Sequence, residues 1–235
     1  MGILNCNSCN ASLFSIRKSI CIRCIRSLKW APPLCQKCGS HLCPSHQKCL
    51  FLTENHSFIK SYSAGYWLVG HGFRVLKSWK RNGGSFFDQM LIDPAICRIQ
   101  HLPREIDGVI AIPQNLRRTL RLRRNPAEFV ANQISKKLSI ELIQPFLSLE
   151  KSNQRQAQNT LIERVQKLKK FQIELGVQVP KRILLVDDFM TSGRTLKKAS
   201  ETLSYFGARE IHVYCLGVRP RFIKRTDQSL DLKHA

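Results

Sequence analysis

A chain of 235 residues with 43% apolar content is long enough for one α/β domain with its own core plus a small appendage, which excludes a wholly disordered protein. It carries 38 Lys+Arg against 16 Asp+Glu, a net charge of +22, so the expected partners are anionic: phosphate-rich small molecules, nucleic acid or, less well, an anionic membrane surface. No apolar run approaches the ~20 residues that cross a bilayer, and the N-terminus lacks the charged start and apolar stretch of a secretion signal, so the expected location is the cytoplasm.

Eight of the ten cysteines fall within the first 49 residues, which without a secretion signal points to metal rather than disulfides. They read Cys6-x-x-Cys9, Cys21-x-x-Cys24 and Cys35-x-x-Cys38, followed by His46-x-x-Cys49, with Cys43 left over. A two-residue gap lets both side chains of a knuckle turn onto one tetrahedral ion. The simplest assignment is a four-cysteine site from the first two pairs and a Cys35, Cys38, His46, Cys49 site from the last two, with Cys43 and His41 competing for its fourth ligand. Closed sites of this kind imply structural zinc, one ion or two. No acid precedes Glu54, while Arg17, Lys18, Arg23, Arg26, Lys29, Lys37 and Lys48 are spread through the segment, so residues 1–56 are expected to form a positive, metal-dependent module.

From about residue 57 cysteines almost vanish, and 57–219 read as a second domain. Val69, Phe73 and Leu76 predict a helix over 67–80, with Lys77, Lys80 and Arg81 at its end and Asn82-Gly83-Gly84 breaking it. Val109–Ile112, closed by Pro113, and Ile183–Val186 are short apolar runs that suit buried parallel strands. Helical patterns lie at 127–138, at Leu161, Val165 and Leu168, and at Leu196, Ala199 and Leu203, the last ended by Gly207; Ile211–Leu216 predicts the next strand. This alternation predicts an open, mostly parallel α/β sheet. Residues 220–235 read as a polar tail.

The most informative segment is Ile183–Thr195, a buried strand followed by Asp187 and Asp188 and a hydroxyl-rich turn, Thr191-Ser192-Gly193, that opens a helix. Ligands of open parallel sheets sit beyond the carboxyl ends of strands. Adjacent carboxylates there can accept hydrogen bonds from vicinal ribose hydroxyls and sit close to Mg²⁺. The turn offers hydroxyls and backbone amides at a helix N-terminus, a phosphate cradle in which Gly193 admits close approach and Thr195 adds a donor. No G-x-x-x-x-G-K-[ST] motif accompanies the acids, which argues against a nucleoside-triphosphate site. The segment therefore reads as a site for a ribose carrying a 5′-phosphate.

These thirteen residues resemble the phosphoribosyl-pyrophosphate motif of type I phosphoribosyltransferases. With the multi-cysteine N-terminus, Leu76-Lys77, Ile112-Pro113 and an Arg-rich loop with Asn125, the chain over residues 6 to 218 resembles the ComF family of competence-associated proteins. The resemblance implies a type I phosphoribosyltransferase-like fold with a small hood, and a role in natural transformation, the import of single-stranded DNA. It implies that Asp187 and Asp188 hold the ribose hydroxyls, that Met190, Thr191, Ser192, Gly193, Arg194 and Thr195 wrap the 5′-phosphate, and that the loop after Pro113 lies near the pyrophosphate. The family's Arg-Gly-aromatic-Asn-Gln loop is here Leu122-Arg123-Arg124-Asn125-Pro126-Ala127-Glu128, with Asn125 retained and arginines in place of the glycine and the aromatic, and His46 stands where cysteine is usual. Lys77, Arg81 and the run Arg117, Arg118, Arg121, Arg123, Arg124 are expected to clamp pyrophosphate or follow a DNA backbone. The expected ligand is phosphoribosyl pyrophosphate with Mg²⁺, the expected reaction glycosyl transfer to an unassigned acceptor. The rival reading is a non-catalytic protein of the uptake machinery, working with its other proteins near the inner membrane, that handles single-stranded DNA on the same fold, with Trp67, Trp79 or Phe86 stacking bases.

Overall fold

The computed structural model describes residues 4–13, 20–41, 58–82, 85–99, 102–103, 105–114, 124–143, 147–149, 171–173 and 176–220. In chain order they form β1 (Leu4–Asn5), β2 (Ser12–Leu13), α1 (Ile22–Arg26), β3 (Lys29–Trp30), β4 (Ile59–Trp67), α2 (Gly70–Asn82), α3 (Ser85–Ile96), β5 (Gly108–Ala111), α4 (Pro126–Leu138), β6 (Leu147–Leu149), β7 (Phe171–Ile173), β8 (Arg182–Met190), α5 (Arg194–Tyr205) and β9 (Glu210–Val218). The helical pattern expected at Leu161, Val165 and Leu168 and nearly all of the polar tail lie outside the described residues.

The main sheet has the order β3-β4-β9-β8-β5. β4, β9, β8 and β5 are parallel, and the two-residue β3 runs antiparallel on one edge. Two short antiparallel pairs, β1 with β2 and β6 with β7, stand apart from it. Ile183–Val186 of β8 have no exposed surface, as expected of a parallel strand covered on both faces. Their side chains divide with the two-residue period of a strand. Leu184 and Val186 join Tyr214, Leu216 and Val109 against α2, α3 and α4 through Leu76, Trp79, Leu91, Val130 and Ile134. Ile183 and Leu185 join Ile211, Val213 and Ile110 against α5 through Leu196, Ala199 and Leu203. Each fully buried aliphatic side chain of these layers contributes roughly 1.5–3 kcal/mol.

Two elements carry weak sequence signals. β4, Ile-Lys-Ser-Tyr-Ser-Ala-Gly-Tyr-Trp, has serines and glycine where an apolar run would be expected. Its small residues serve packing: a Cβ on Gly65 would lie 2.7 Å from the Cβ of Ala95, so only glycine lets α3 come this close. α3 itself contains Pro94, a residue that normally interrupts helix, yet buries Leu91, Ile92, Ala95 and Ile96.

The cysteine-rich segment shares this core. Cys6, Leu13, Ile20 and Cys24 are buried in one cluster with Val75, Leu76 and Trp79 of α2. The Ser78 hydroxyl donates to the Asn7 carbonyl at 2.6 Å.

Candidate functional site

The carboxyl end of β8 carries the acidic pair. Asp187 is half-buried and Asp188 is buried. The Asp188 amide donates to Asp187 Oδ1 at 2.8 Å and the Phe189 amide donates to Asp188 Oδ1 at 2.6 Å, so each carboxylate is steadied by the next backbone N–H. The neighbouring strand end is fixed as well: the Ile112 amide donates to the Val186 carbonyl at 2.8 Å, and the half-buried Pro113 follows.

Over this edge lies α2, whose Phe73 meets Phe189 edge to face at 6.4 Å between centroids. One turn pair further on, the buried Lys80 ammonium forms an ion pair with Asp188 Oδ2 and stands 5.0 Å from the centre of the Phe189 ring. Lys80 is the residue that sequence reasoning passed over in favour of Lys77 and Arg81, which are both exposed. A signal was present: Lys80 follows Phe73 by seven and Leu76 by four, which places a cation on the apolar stripe rather than on the polar face.

After Met190, which is buried, Thr191 and Ser192 are exposed and Gly193 takes φ +75°, the left-handed region that favours glycine. Gly193 is the N-cap of α5 and contributes no side-chain cap bond, and no acid stands in the first turn. Arg194 is exposed and Thr195 half-buried at the start of that helix. Its N-terminal amides stand at the positive end of the helix dipole, an arrangement that can receive an anion.

Asn125 and Arg124 have other work. Asn125 caps α4, its Oδ1 accepting from the Ala127 amide at 3.1 Å, while its Nδ2 donates to the Ile112 carbonyl at 3.4 Å and ties the helix to the end of β5. Arg124 donates through Nη1 to both oxygens of the buried Asp88, at 2.9 and 3.1 Å, and through Nη2 to the Trp79 carbonyl at 2.9 Å. The guanidinium also lies 4.9 Å from the Trp79 ring and 5.0 Å from the Phe129 ring. The Trp79 indole N–H donates to Asp88 Oδ1 at 2.6 Å. Arg124 is thus committed inside the protein, and the fully buried Trp79 offers no stacking face. Trp67 is half-buried against His41. Arg117, Arg118, Arg121 and Arg123 lie outside the described residues, and nothing is described of the Phe86 side chain.

In the N-terminal segment the sulfurs of Cys6, Cys9, Cys21 and Cys24 all lie within 4.8 Å of one another. Cys6 and Cys24 are 3.7 Å apart and Cys9 and Cys21 3.6 Å apart. A zinc tetrahedron with bonds of ~2.3 Å has edges of about 3.8 Å, so the donor set fits that ion. The amides of Cys21 and Cys24 point at the sulfurs of Cys6 and Cys21, at 3.3 and 3.4 Å. Burial pushes the Cys6 thiol up, but the amides of Cys9, Cys21 and Ser8 outweigh it and bring the thiol down to about 6, whereas burial and the neighbouring thiols raise Cys24. His71, not foreseen from the spacing, places Nε2 3.0 Å from Cys24 Sγ.

Cys35 and Cys38 form a second knuckle of the same shape. The Cys6 amide bonds the Ala11 carbonyl and the Asn10 amide the Cys6 carbonyl; the Cys35 amide bonds the Ser40 carbonyl and the Gly39 amide the Cys35 carbonyl, all at 2.8–2.9 Å. Asn10 and Gly39 take matching φ values of +61° and +67°. The remaining expected ligands, His46 and Cys49, and the spare Cys43 lie outside the described residues.

Residues 125–230 match the family described as phosphoribosyl transferase domain. The chain is 26% identical to Competence protein F of Haemophilus influenzae over 225 residues, 90% of this chain and 95% of that protein. It is 39% identical to Competence protein ComFC of Streptococcus pneumoniae over 46 residues, covering 20% of this chain and 21% of that one. Among solved structures, a purine phosphoribosyltransferase from Pyrococcus horikoshii aligns with 51% of this chain and 67% of its own, at 17% identity and a TM-score of 0.28. The domain match and the open, mostly parallel sheet give a type I phosphoribosyltransferase-like α/β fold. No helix among the described residues is long and apolar enough to cross a membrane.

Proposed function

With the chain assigned to the ComF family by its two competence relatives and its phosphoribosyl transferase domain, we propose that it binds phosphoribosyl pyrophosphate with Mg²⁺ and acts in natural competence. The observation that carries this reading is the meeting of Asp187 and Asp188 with the glycine-started N-terminus of α5 at one strand end. The two carboxylates accept the ribose 2- and 3-hydroxyls. The amides and hydroxyls from Met190 to Thr195 receive the 5′-phosphate. Lys80 keeps Asp188 compensated until the ligand arrives. Lys77 and Arg81, and Arg117, Arg118 and Arg121 of the loop after Pro113, supply cations for the pyrophosphate end, with Asn125 holding that loop's exit against Ile112.

Bound Mg²⁺ neutralises the negative charge of the pyrophosphate. In the transfer the bond from the anomeric carbon to the pyrophosphate oxygen breaks, its electron pair leaves with pyrophosphate, and an acceptor nucleophile forms the new bond and gives up its proton. The residues around the edge lower this barrier by holding both phosphate ends and facing the departing charge with fixed cations. Zinc in the Cys6, Cys9, Cys21, Cys24 site supplies a structural cross-link, with Cys35 and Cys38 contributing to a second site.

Calorimetric titration of Mg²⁺ and phosphoribosyl pyrophosphate into the protein and into the Asp187→Ala/Asp188→Ala variant tests the site. Binding is expected in the first and lost in the second; equal affinity in both overturns the assignment. The net charge of +22 favours a second reading, single-stranded DNA held along the basic surface. That mode requires an affinity that falls steeply with salt, and a salt-independent affinity rejects it.

A further inference from the structure

We propose that His71 is a positioning residue that joins the zinc site to the phosphoribosyl edge through α2, an inference that rests on the ligand reading above. Its Nε2 lies 3.0 Å from the sulfur of Cys24. A zinc-bound cysteine is a thiolate with no proton of its own, so in the loaded site Nε2–H is the donor and the sulfur the acceptor. The bond partly offsets the negative charge of a four-thiolate site and holds the Cys24 sulfur in place.

The same helix reaches the other site. His71 is its second residue, and Phe73 and Lys80 reach Phe189 and Asp188 further along. Three more contacts fix α2 to the cysteine segment. A Cβ on Gly72 would stand 2.7 Å from the Ser27 carbonyl oxygen, so α1 abuts the start of α2 backbone to backbone. The Ser78 hydroxyl donates to the Asn7 carbonyl within the first knuckle. Leu76 and Trp79 share a buried cluster with Cys6 and Cys24. A rigid helix gripped on one side by the metal knuckles and ending on the other in the cation paired with Asp188 transmits the position of one site to the other. Metal loading of the cysteines therefore sets the placement of Lys80.

The test uses the full, zinc-loaded chain and the variants His71→Ala, His71→Gln and Gly72→Ala. Transfer of zinc to a chelating dye is expected to be roughly tenfold or more faster in His71→Ala, and to be restored in His71→Gln, which keeps an N–H donor. In the cobalt-substituted protein the thiolate-to-metal charge-transfer band shifts in His71→Ala and returns in His71→Gln. Hydrogen exchange is expected to quicken along 70–82 and at 188–190 in zinc-loaded His71→Ala and Gly72→Ala, and Mg²⁺–phosphoribosyl pyrophosphate affinity to fall several-fold. Unchanged zinc transfer in His71→Ala overturns the role of His71. Faster transfer with exchange altered only within 4–26 overturns the coupling. A wild-type chain that binds no phosphoribosyl pyrophosphate sinks the ligand reading alone, because zinc transfer and exchange are read without that ligand.

Discussion

Two constructions of the same parts stand side by side at the carboxyl edge of the sheet. Each has a buried carboxylate, a cation, and the start of a helix. Asp88 takes bonds from Arg124 and the Trp79 indole, and the helix that follows Arg124 is capped by Asn125. Asp188 is paired with Lys80 beside a helix that begins at Gly193 without a side-chain cap. In the first, both Asp88 oxygens, both Arg124 Nη atoms and the Trp79 indole are bonded within the protein, and the result is a wall. In the second, the helix start has a glycine N-cap and only the Ser192 hydroxyl, 3.5 Å from the Arg194 amide, and the proposed phosphate would complete the bonding there, as at a mouth. Similar residue types thus serve structure or ligand according to whether the neighbouring chain completes the bonding.

The comparison breaks most visibly at Asp88. Asp88→Ala leaves Arg124 and the Trp79 indole without their acceptor and is expected to cost about 3–5 kcal/mol in denaturant unfolding. Replacing both partners sharpens it further. Arg124→Met/Asp88→Ala still strands the Trp79 N–H, for a loss of about 1–3 kcal/mol. Lys80→Met/Asp188→Asn keeps an acceptor for the Phe189 amide and should unfold within about 1 kcal/mol of wild type, because exchanging a whole buried pair is often neutral. That second double variant is nevertheless expected to lose calorimetric binding of phosphoribosyl pyrophosphate.

At the helix starts the effects are smaller. Asn125→Ala should lower the unfolding free energy by about 1 kcal/mol. Ser192→Ala should leave thermal stability nearly unchanged while reducing ligand affinity, and equal stability losses in the two variants would erase the distinction between wall and mouth. The smallest effect lies at the opposite end of β8. Hydrogen bonds from the Arg182 side chain and amide hold the Asp107 carboxyl below its usual range. A carboxyl depressed in the folded state adds stability above its unfolded pKa of ~3.9, and that stability is lost as pH falls through the lower folded value. Asp107→Asn should therefore lower stability slightly at pH 7, where the contribution is fully present, and differ least from wild type at the acid end, which flattens the acid limb below about pH 4.

Local patterns were legible in the sequence. Ile183–Val186 announced a buried strand, Thr191 to Thr195 a turn into a helix, and the first two cysteine pairs a cluster of sulfurs that fits a metal ion, because each depends on spacing along a short stretch. Pairings between distant segments were not. Arg124 reads as one more cation in a basic loop until Asp88, 36 positions away, is placed beside it. Lys80 reads as the polar end of a helix until β8 arrives beneath it. His71 carries no metal-ligand spacing at all, since its partner Cys24 is 47 positions earlier. β4 went unrecognised because its serines and glycine answer to the close approach of α3 rather than to strand propensity.

The position of β9 also governs how the chain comes together. β9, the last strand among the described residues, occupies the middle of the sheet, between β4 and β8, and its His212 meets Ser61 across 151 positions. Until residue 218 has left the ribosome, β4 and β8 each present an unpaired margin. Closing so long a loop makes folding slow, and the nascent chain is exposed to aggregation until β9 is in place. The two-residue β3, already antiparallel on the outer margin of β4, shields part of that side while the centre is still missing.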